Sequence, residues 1–203
     1  MQNFWDERYA SSSYVYGIEP NPFFKEQIAK FQPGKLLLPA EGEGRNAVYA
    51  AKLDWEVSAF DQSKEGKKKA LLLSKKNAVN IDYQVSNLSE VDYKPASFDC
   101  IALIYAHFPA DLRKSYHQKL DKYVKKGGIL ILEGFSKAHF QLNIDNGTSS
   151  GPRDLDMLFS KEEMMNDFPN YEILILEEKE EQLSEGLFHN DKSAIMRFVG
   201  KKK

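Results

Sequence analysis

Residues 35–51, KLLLPAEGEGRNAVYAA, constrain this chain more than any other stretch. The apolar run over 36–38 has the length of a buried strand, Glu41-Gly42-Glu43-Gly44 reads as a turn, and a helical pattern starts at Arg45. Strand, glycine turn and helix start form the shape of a site for a nucleotide-type cofactor. Gly42 and Gly44 let a ligand approach the backbone where a Cβ would collide with it. The helix behind them points unpaired N–H groups and partial positive charge at any anionic group on that ligand. A second strand over 56–60 delivers Asp61 at its carboxyl end, where an ionised carboxylate can accept from two adjacent ribose hydroxyls.

The order of elements extends this unit into a sheet. Before the first strand, Asn21-Pro22 reads as N-cap and first helical position, with Phe24, Ile28 and Phe31 on one helical face. A Lys- and Leu-rich helix over 64–77 follows the second strand, and 81–85 reads as a third strand. The run FDCIALIY over 98–105 is almost wholly apolar, as a strand buried on both faces should be. A helix over 111–124 carries Leu112, Tyr116, Leu120 and Tyr123 on one stripe, and Gly127-Gly128 separates it from a fifth strand over 129–133. Alternating strands and helices predict a parallel sheet covered on both faces. Residues 136–156 show little periodicity and read as a binding loop. Ser160-Lys161-Glu162-Glu163 is a capping box that opens a helix to Phe168. Strands over 171–177 and 194–199 have no helix between them, so they should pair antiparallel.

Composition narrows the class. With 203 residues, 42% apolar and 29% charged, the chain reads as one globular domain, 1–203, with an N-terminal helical lid over 1–33. A formal net charge of −2 implies no general attraction to nucleic acid or membrane. The single cysteine, Cys100, excludes an intramolecular disulfide, argues against a cysteine-based metal site, and sits in an apolar strand pattern as a buried small hydrophobe. No run reaches membrane-span length, and a cytoplasmic protein is the expectation. Oligomeric state is not specified.

Gly42, Gly44, Ala47 and Asp61 fit the dinucleotide pattern G-x-G-x-x-G/A with an acid downstream, so an NAD-dependent oxidoreductase is one reading. Three features favour S-adenosylmethionine instead. A helix precedes the first strand, the sheet ends in an antiparallel pair, and successive motifs carry a family resemblance. KLLLPAEGEGRNAVYAA, VSAFDQS, FDCIALIYAHFPADLR and GGILILEGF resemble class I S-adenosylmethionine-dependent methyltransferases over nearly the whole chain. FWDERYA, GEGRNAVYAA, the Tyr-x-His and Arg within 105–113, and EGLFHNDKSAIMRFVG resemble the small tellurite-resistance and thiopurine-methyltransferase-like branch. The resemblance implies a Rossmann-like, doubly wound, mostly parallel α/β sheet of order 3-2-1-4-5-7-6 with the last strand antiparallel. It also implies methyl transfer to a small-molecule acceptor such as a thiol or chalcogen anion.

On that reading the cofactor set is Trp5 as a cover, Glu41, Gly42, Gly44, Arg45 and Asn46 at the turn, Asp61 with Gln62 and Ser63, Asn87-Leu88 at the adenine, and Tyr105. His107, at the carboxyl end of the fourth strand, and Arg113 are the catalytic candidates; Arg153 and His189 are candidates for the acceptor. No metal is expected. The family places Asp and Gly where this chain has Leu38 and Ala40, so a non-catalytic S-adenosylmethionine-binding protein is a further alternative.

Overall fold

Leu37 of strand β1 (Lys35–Pro39) packs into one hydrophobic core while Leu36 and Leu38 pack into the other. Alternate side chains of a strand point to opposite faces, so an unbroken apolar run needs cover on both sides. The computed structural model, which describes residues 2–148 and 150–203, supplies that cover. Strands β2 (Glu56–Asp61), β3 (Asp82–Val85), β4 (Phe98–Ile104), β5 (Val124–Phe135), β6 (Tyr171–Gln182) and β7 (Lys192–Lys202) complete a sheet of order β3-β2-β1-β4-β5-β7-β6. The pairs from β3 to β5 are parallel, and β7 runs antiparallel to both β5 and β6. This is the order and the reversed strand that the sequence implied.

Helices α2 (Pro22–Ile28), α3 (Arg45–Lys52) and α4 (Lys64–Lys76) contribute Phe24, Ile28, Ala47, Ala50 and Ala70 to the core on one face. Helices α5 (Ala110–Tyr123) and α7 (Lys161–Asp167) contribute Leu120, Tyr123 and Met164 to the other. Asn21 caps α2 by accepting from the Phe24 N–H at 2.8 Å, and Ser160 with Glu163 forms the expected capping box of α7. Helix α1 (Gln2–Tyr9) lies against α4.

Two stretches depart from the sequence reading. Residues 136–156 are not an unbroken loop, because helix α6 (Ala138–Asn146) occupies their first half and a 3-10 turn, Leu155–Met157, their end. Only His139 of α6 is buried, stacked on Phe135 at 4.3 Å between centroids, so the helix has no apolar stripe to read. The β6–β7 ladder is longer than 171–177 and 194–199, running on to Gln182 opposite Lys192. Its extension is rich in Glu and Lys because β6 is an edge strand, and charge there discourages pairing with another chain. Gly127-Gly128 lie inside β5, which starts at Val124 and not at 129, and mark a break in its ladder: Phe98 pairs with Val124, and pairing resumes at Cys100 with Ile129.

Candidate active site

The carboxyl ends of β1, β2 and β4 meet where the chain reverses its winding, and there the backbone is tightest. Ala40, Gly42 and Gly44 have φ of 53°, 62° and 86°. A side chain on Gly44 would come within 2.5 Å of the Ala70 Cβ, so this glycine admits helix α4 and stands behind the cavity rather than in its wall. Gly42 does line the cavity, and a Cβ there would meet the Tyr9 hydroxyl at 2.6 Å. Gly44, the N-cap of α3, has no side chain to satisfy the first turn; Glu41 does so, accepting from the Ala47 N–H at 2.8 Å. Burial pushes the Glu41 carboxyl up to about 7.

Asp61 braces the same turn. Its two oxygens accept from the N–H groups of Gly42 at 3.1 Å and Ser63 at 2.8 Å. Burial outweighs those bonds and raises its pKa to about 6. Each oxygen keeps a further lone pair for a ligand. Ser63 caps α4 through the Gly66 N–H at 3.0 Å and donates to Asp6 at 2.6 Å, so it fastens α1 to α4 outside the cavity.

Between these elements lies a cavity of about 780 Å³. Its walls include Trp5, Glu41, Gly42, Arg45, Asn46, Asp61, Gln62, Asn87, Leu88, Tyr105, His107, Arg153 and His189, so the structure brings together most of the residues singled out by sequence. Another hollow, of about 610 Å³, opens beside Trp55 and Gly127-Gly128, away from the glycine turn.

Of the two catalytic candidates of the sequence reading, His107 reaches the cavity and Arg113 does not. Arg113 is not in the cavity wall; its guanidinium donates to Glu163 at 2.7 Å and to the Asp156 carbonyl at 2.7 Å, with Asp167 at 3.8 Å. It ties α5 to α7, because α5 turns Leu112 rather than Arg113 toward the opening. His107 does line the cavity, but both ring nitrogens are engaged. The Met157 carbonyl, 2.9 Å from Nδ1, fixes the proton there, and Nε2 accepts from the Phe135 N–H at 3.1 Å. Burial lowers its pKa to about 4, so the ring is a neutral brace between Phe135 and Phe159.

His189 has the opposite character. It is 6% exposed, its buried Nδ1 has no partner, and burial followed by the nearby Arg45 charge lowers its pKa to about 3. Its ring stands 4.2 Å from that of Tyr105 and 4.7 Å from that of Tyr16. Tyr105, in the left-handed region with φ of 53°, also buries a hydroxyl with no partner. Arg153 is exposed at the rim.

Sequence reading missed the frame that holds this wall. Glu185 pairs with Arg45 at 2.6 Å and accepts from Asn21, which also donates to Glu133 at 2.7 Å; Glu133 in turn pairs with Arg197. Arg45, a cofactor residue on the sequence reading, spends its guanidinium on Glu185 and on the Tyr16 carbonyl at 3.0 Å. Glu43 pairs with Lys69 at 2.7 Å and accepts from the Val15 N–H at 2.8 Å, anchoring the N-terminal segment. Arg8 was also missed, although the i,i+4 spacing of Phe4 and Arg8 places them on one helix face.

A crevice at the switch point, a glycine turn and an acid ending β2 mark a site for a nucleotide-type cofactor. Residues 37–132 match the methyltransferase domain family. No curated protein matches the chain in sequence. Among solved structures, one from work on the conversion of a disulfide bond into a thioacetal group during echinomycin biosynthesis is similar at 16% identity, covering 100% of this chain and 92% of that one, TM-score 0.75. TehB from Haemophilus influenzae is similar at 15% identity, covering 100% and 67%, TM-score 0.73. The 1,6-didemethyltoxoflavin-N1-methyltransferase of Burkholderia thailandensis, with bound 1,6-didemethyltoxoflavin and S-adenosylhomocysteine, is similar at 14%, covering 90% and 79%, TM-score 0.64. At such identities the likeness is one of fold. Residues 37–132 are thus a methyltransferase domain, set in the fold that S-adenosylmethionine-dependent methyltransferases share, with S-adenosylmethionine as the cofactor of that domain. Its fold resembles that of TehB. The domain match sets S-adenosylmethionine ahead of NAD. No described helix is long and apolar enough to cross a membrane.

Proposed function

We propose that the methyl acceptor is a small molecule presenting a thiolate or another chalcogen anion, in a cytoplasmic setting. The observation that carries this reading is the state of the two cavity histidines. His107 has no free ring nitrogen, and His189 is pushed down to about 3, so neither is suited to remove a proton near neutral pH. A nucleophile that arrives already deprotonated needs no base. The cofactor supplies an activated methyl on a good leaving group. The residues around it bind, orient and exclude water. We assign Asp61 to the ribose hydroxyls, Gln62 and Asn87-Leu88 to the adenine, Gly42 and Asn46 to the methionine end, and Trp5 to a cover; Gly44, Ser63, Arg45 and Glu41 support them from behind or beside. His189 and the Tyr105 hydroxyl, as unpartnered polar groups in the wall, are assigned to the acceptor anion as donors. Arg153 at the rim adds positive charge. The similar structure from work on a disulfide-to-thioacetal conversion is consistent with sulfur chemistry on this fold.

The test is methyl transfer from S-adenosylmethionine to matched thiol, amine and hydroxyl acceptors of similar size. Thiols should turn over fastest. His189→Phe and Tyr105→Phe should each lower kcat by about tenfold or more, with cofactor affinity near that of the unaltered enzyme. Methylation of amines or hydroxyls with thiols untouched would overturn the acceptor assignment.

A further inference from the structure

We propose that Arg8 is a carboxylate receptor of the cavity. This rests on the reading that the cavity holds cofactor and acceptor together. Arg8 lies in helix α1 and lines the cavity. Its guanidinium carbon stands 4.2 Å from the centre of the Phe188 ring, 4.7 Å from Phe4 and 5.6 Å from Trp5. One of its five N–H groups donates to the Tyr16 hydroxyl at 3.1 Å. Among the described residues it forms no ion pair. Arg45, in the same wall, is neutralised by Glu185 at 2.6 Å, whereas Arg8, like Arg153 at the rim, has no ion-pair partner among the described residues.

The aromatic cage explains how that charge is tolerated and what it is for. Ring faces stabilise a guanidinium without occupying its N–H groups, which lie in the guanidinium plane. The planar fork stays available for bidentate binding of a carboxylate. The cage also joins two segments distant in sequence, α1 and the loop carrying Phe188. An anion bound to Arg8 would therefore be held at the seam between them. Two ligand carboxylates have the required chemistry: that of the cofactor's amino-acid end and that of an acidic acceptor.

The sources separate by experiment. Affinities of the full chain and of Arg8→Gln are measured for S-adenosylhomocysteine and for 5′-methylthioadenosine, which has the adenosine and sulfur but no amino-acid end. If Arg8 takes the cofactor carboxylate, Arg8→Gln should weaken S-adenosylhomocysteine about ten- to a hundredfold and leave methylthioadenosine unchanged. If it takes an acceptor carboxylate, both affinities should hold while KM for 3-mercaptopropionate rises tenfold or more and KM for 2-mercaptoethanol does not. Unchanged affinities and KM values would overturn the proposal. So would equal loss of both adenosine ligands, which would make Arg8 only a latch between α1 and the loop. Failure of the unaltered chain to bind S-adenosylhomocysteine would instead defeat the cavity reading. Arg8→Lys, which keeps charge without the fork, gives an intermediate loss under the proposal and serves if Arg8→Gln does not fold.

Discussion

Asp61 braces a turn and, on the proposed assignment, meets the ribose; both roles favour the ionised carboxylate, and burial opposes it. Burial raises its pKa to about 6 from an unfolded value of 3.8. The folded chain therefore holds a proton that the unfolded chain has released between these limits, so this group's contribution to stability is present below pH 4 and is lost as pH rises through 6. Two ribose hydroxyls need the ionised form. S-adenosylhomocysteine should thus release a proton on binding near pH 6, and affinity should fall below that pH. Calorimetry in buffers of different ionisation enthalpy checks this, and equal heats in all buffers at pH 6 would exclude Asp61 as the titrating contact. Asp61→Ala should weaken binding about tenfold or more. His107→Ala should be a stability variant: it leaves the Phe135 N–H unpaired and opens a gap between Phe135 and Phe159, at a cost of about 3 kcal/mol in urea unfolding. Reduced turnover at unchanged stability would restore His107 to the chemistry.

The elements that sequence disclosed are those with a burial pattern. β1 and β4 are buried on both faces, and α5 buries Leu120 and Tyr123 of the expected stripe, though Leu112 is exposed and His117 is buried instead, so strand and helix were legible. Helix α6 was not, because it buries one side chain, and neither was the outer half of β6, because an edge strand turns charge to water. In the site, the glycine turn and Asp61 are local in sequence and were readable. Arg113 and His107 were read from position and from the resemblance of 105–113, and their hydrogen-bond partners lie 43 to 50 residues away for Arg113 and 28 to 50 for His107. The β6–β7 connection, carrying Phe188 and His189, is likewise held at long range: Glu185 by Arg45 and the Leu187 N–H by the Val15 carbonyl at 2.8 Å. Glu185→Ala leaves a buried arginine unpaired, a change on the order of 3–5 kcal/mol. Hydrogen exchange at the Leu187 amide should quicken while amides of β4 and β5 stay protected, and unchanged exchange there would show that the ion pair does not hold the connection.

Across the whole molecule, ligand binding should appear as stability. S-adenosylhomocysteine at about 100 times its dissociation constant should add roughly 2.7 kcal/mol, or about 5–10 °C in Tm for a chain of this size, whereas NAD should add nothing. The chain Arg45–Glu185–Asn21–Glu133–Arg197 runs from the glycine turn through the start of α2 and the end of β5 into the reversed strand β7. Its consequence is for transplantation. The antiparallel hairpin is not a cassette: exchanging residues 171–202 for those of a relative strands Glu133 and Arg45 unless positions 21, 45 and 133 travel with it. If acceptor preference is housed partly in the hairpin connection, as proposed, it cannot drift independently of the cofactor turn, and chimeras cut at residue 170 should fold only when all the donor residues of that set are carried across.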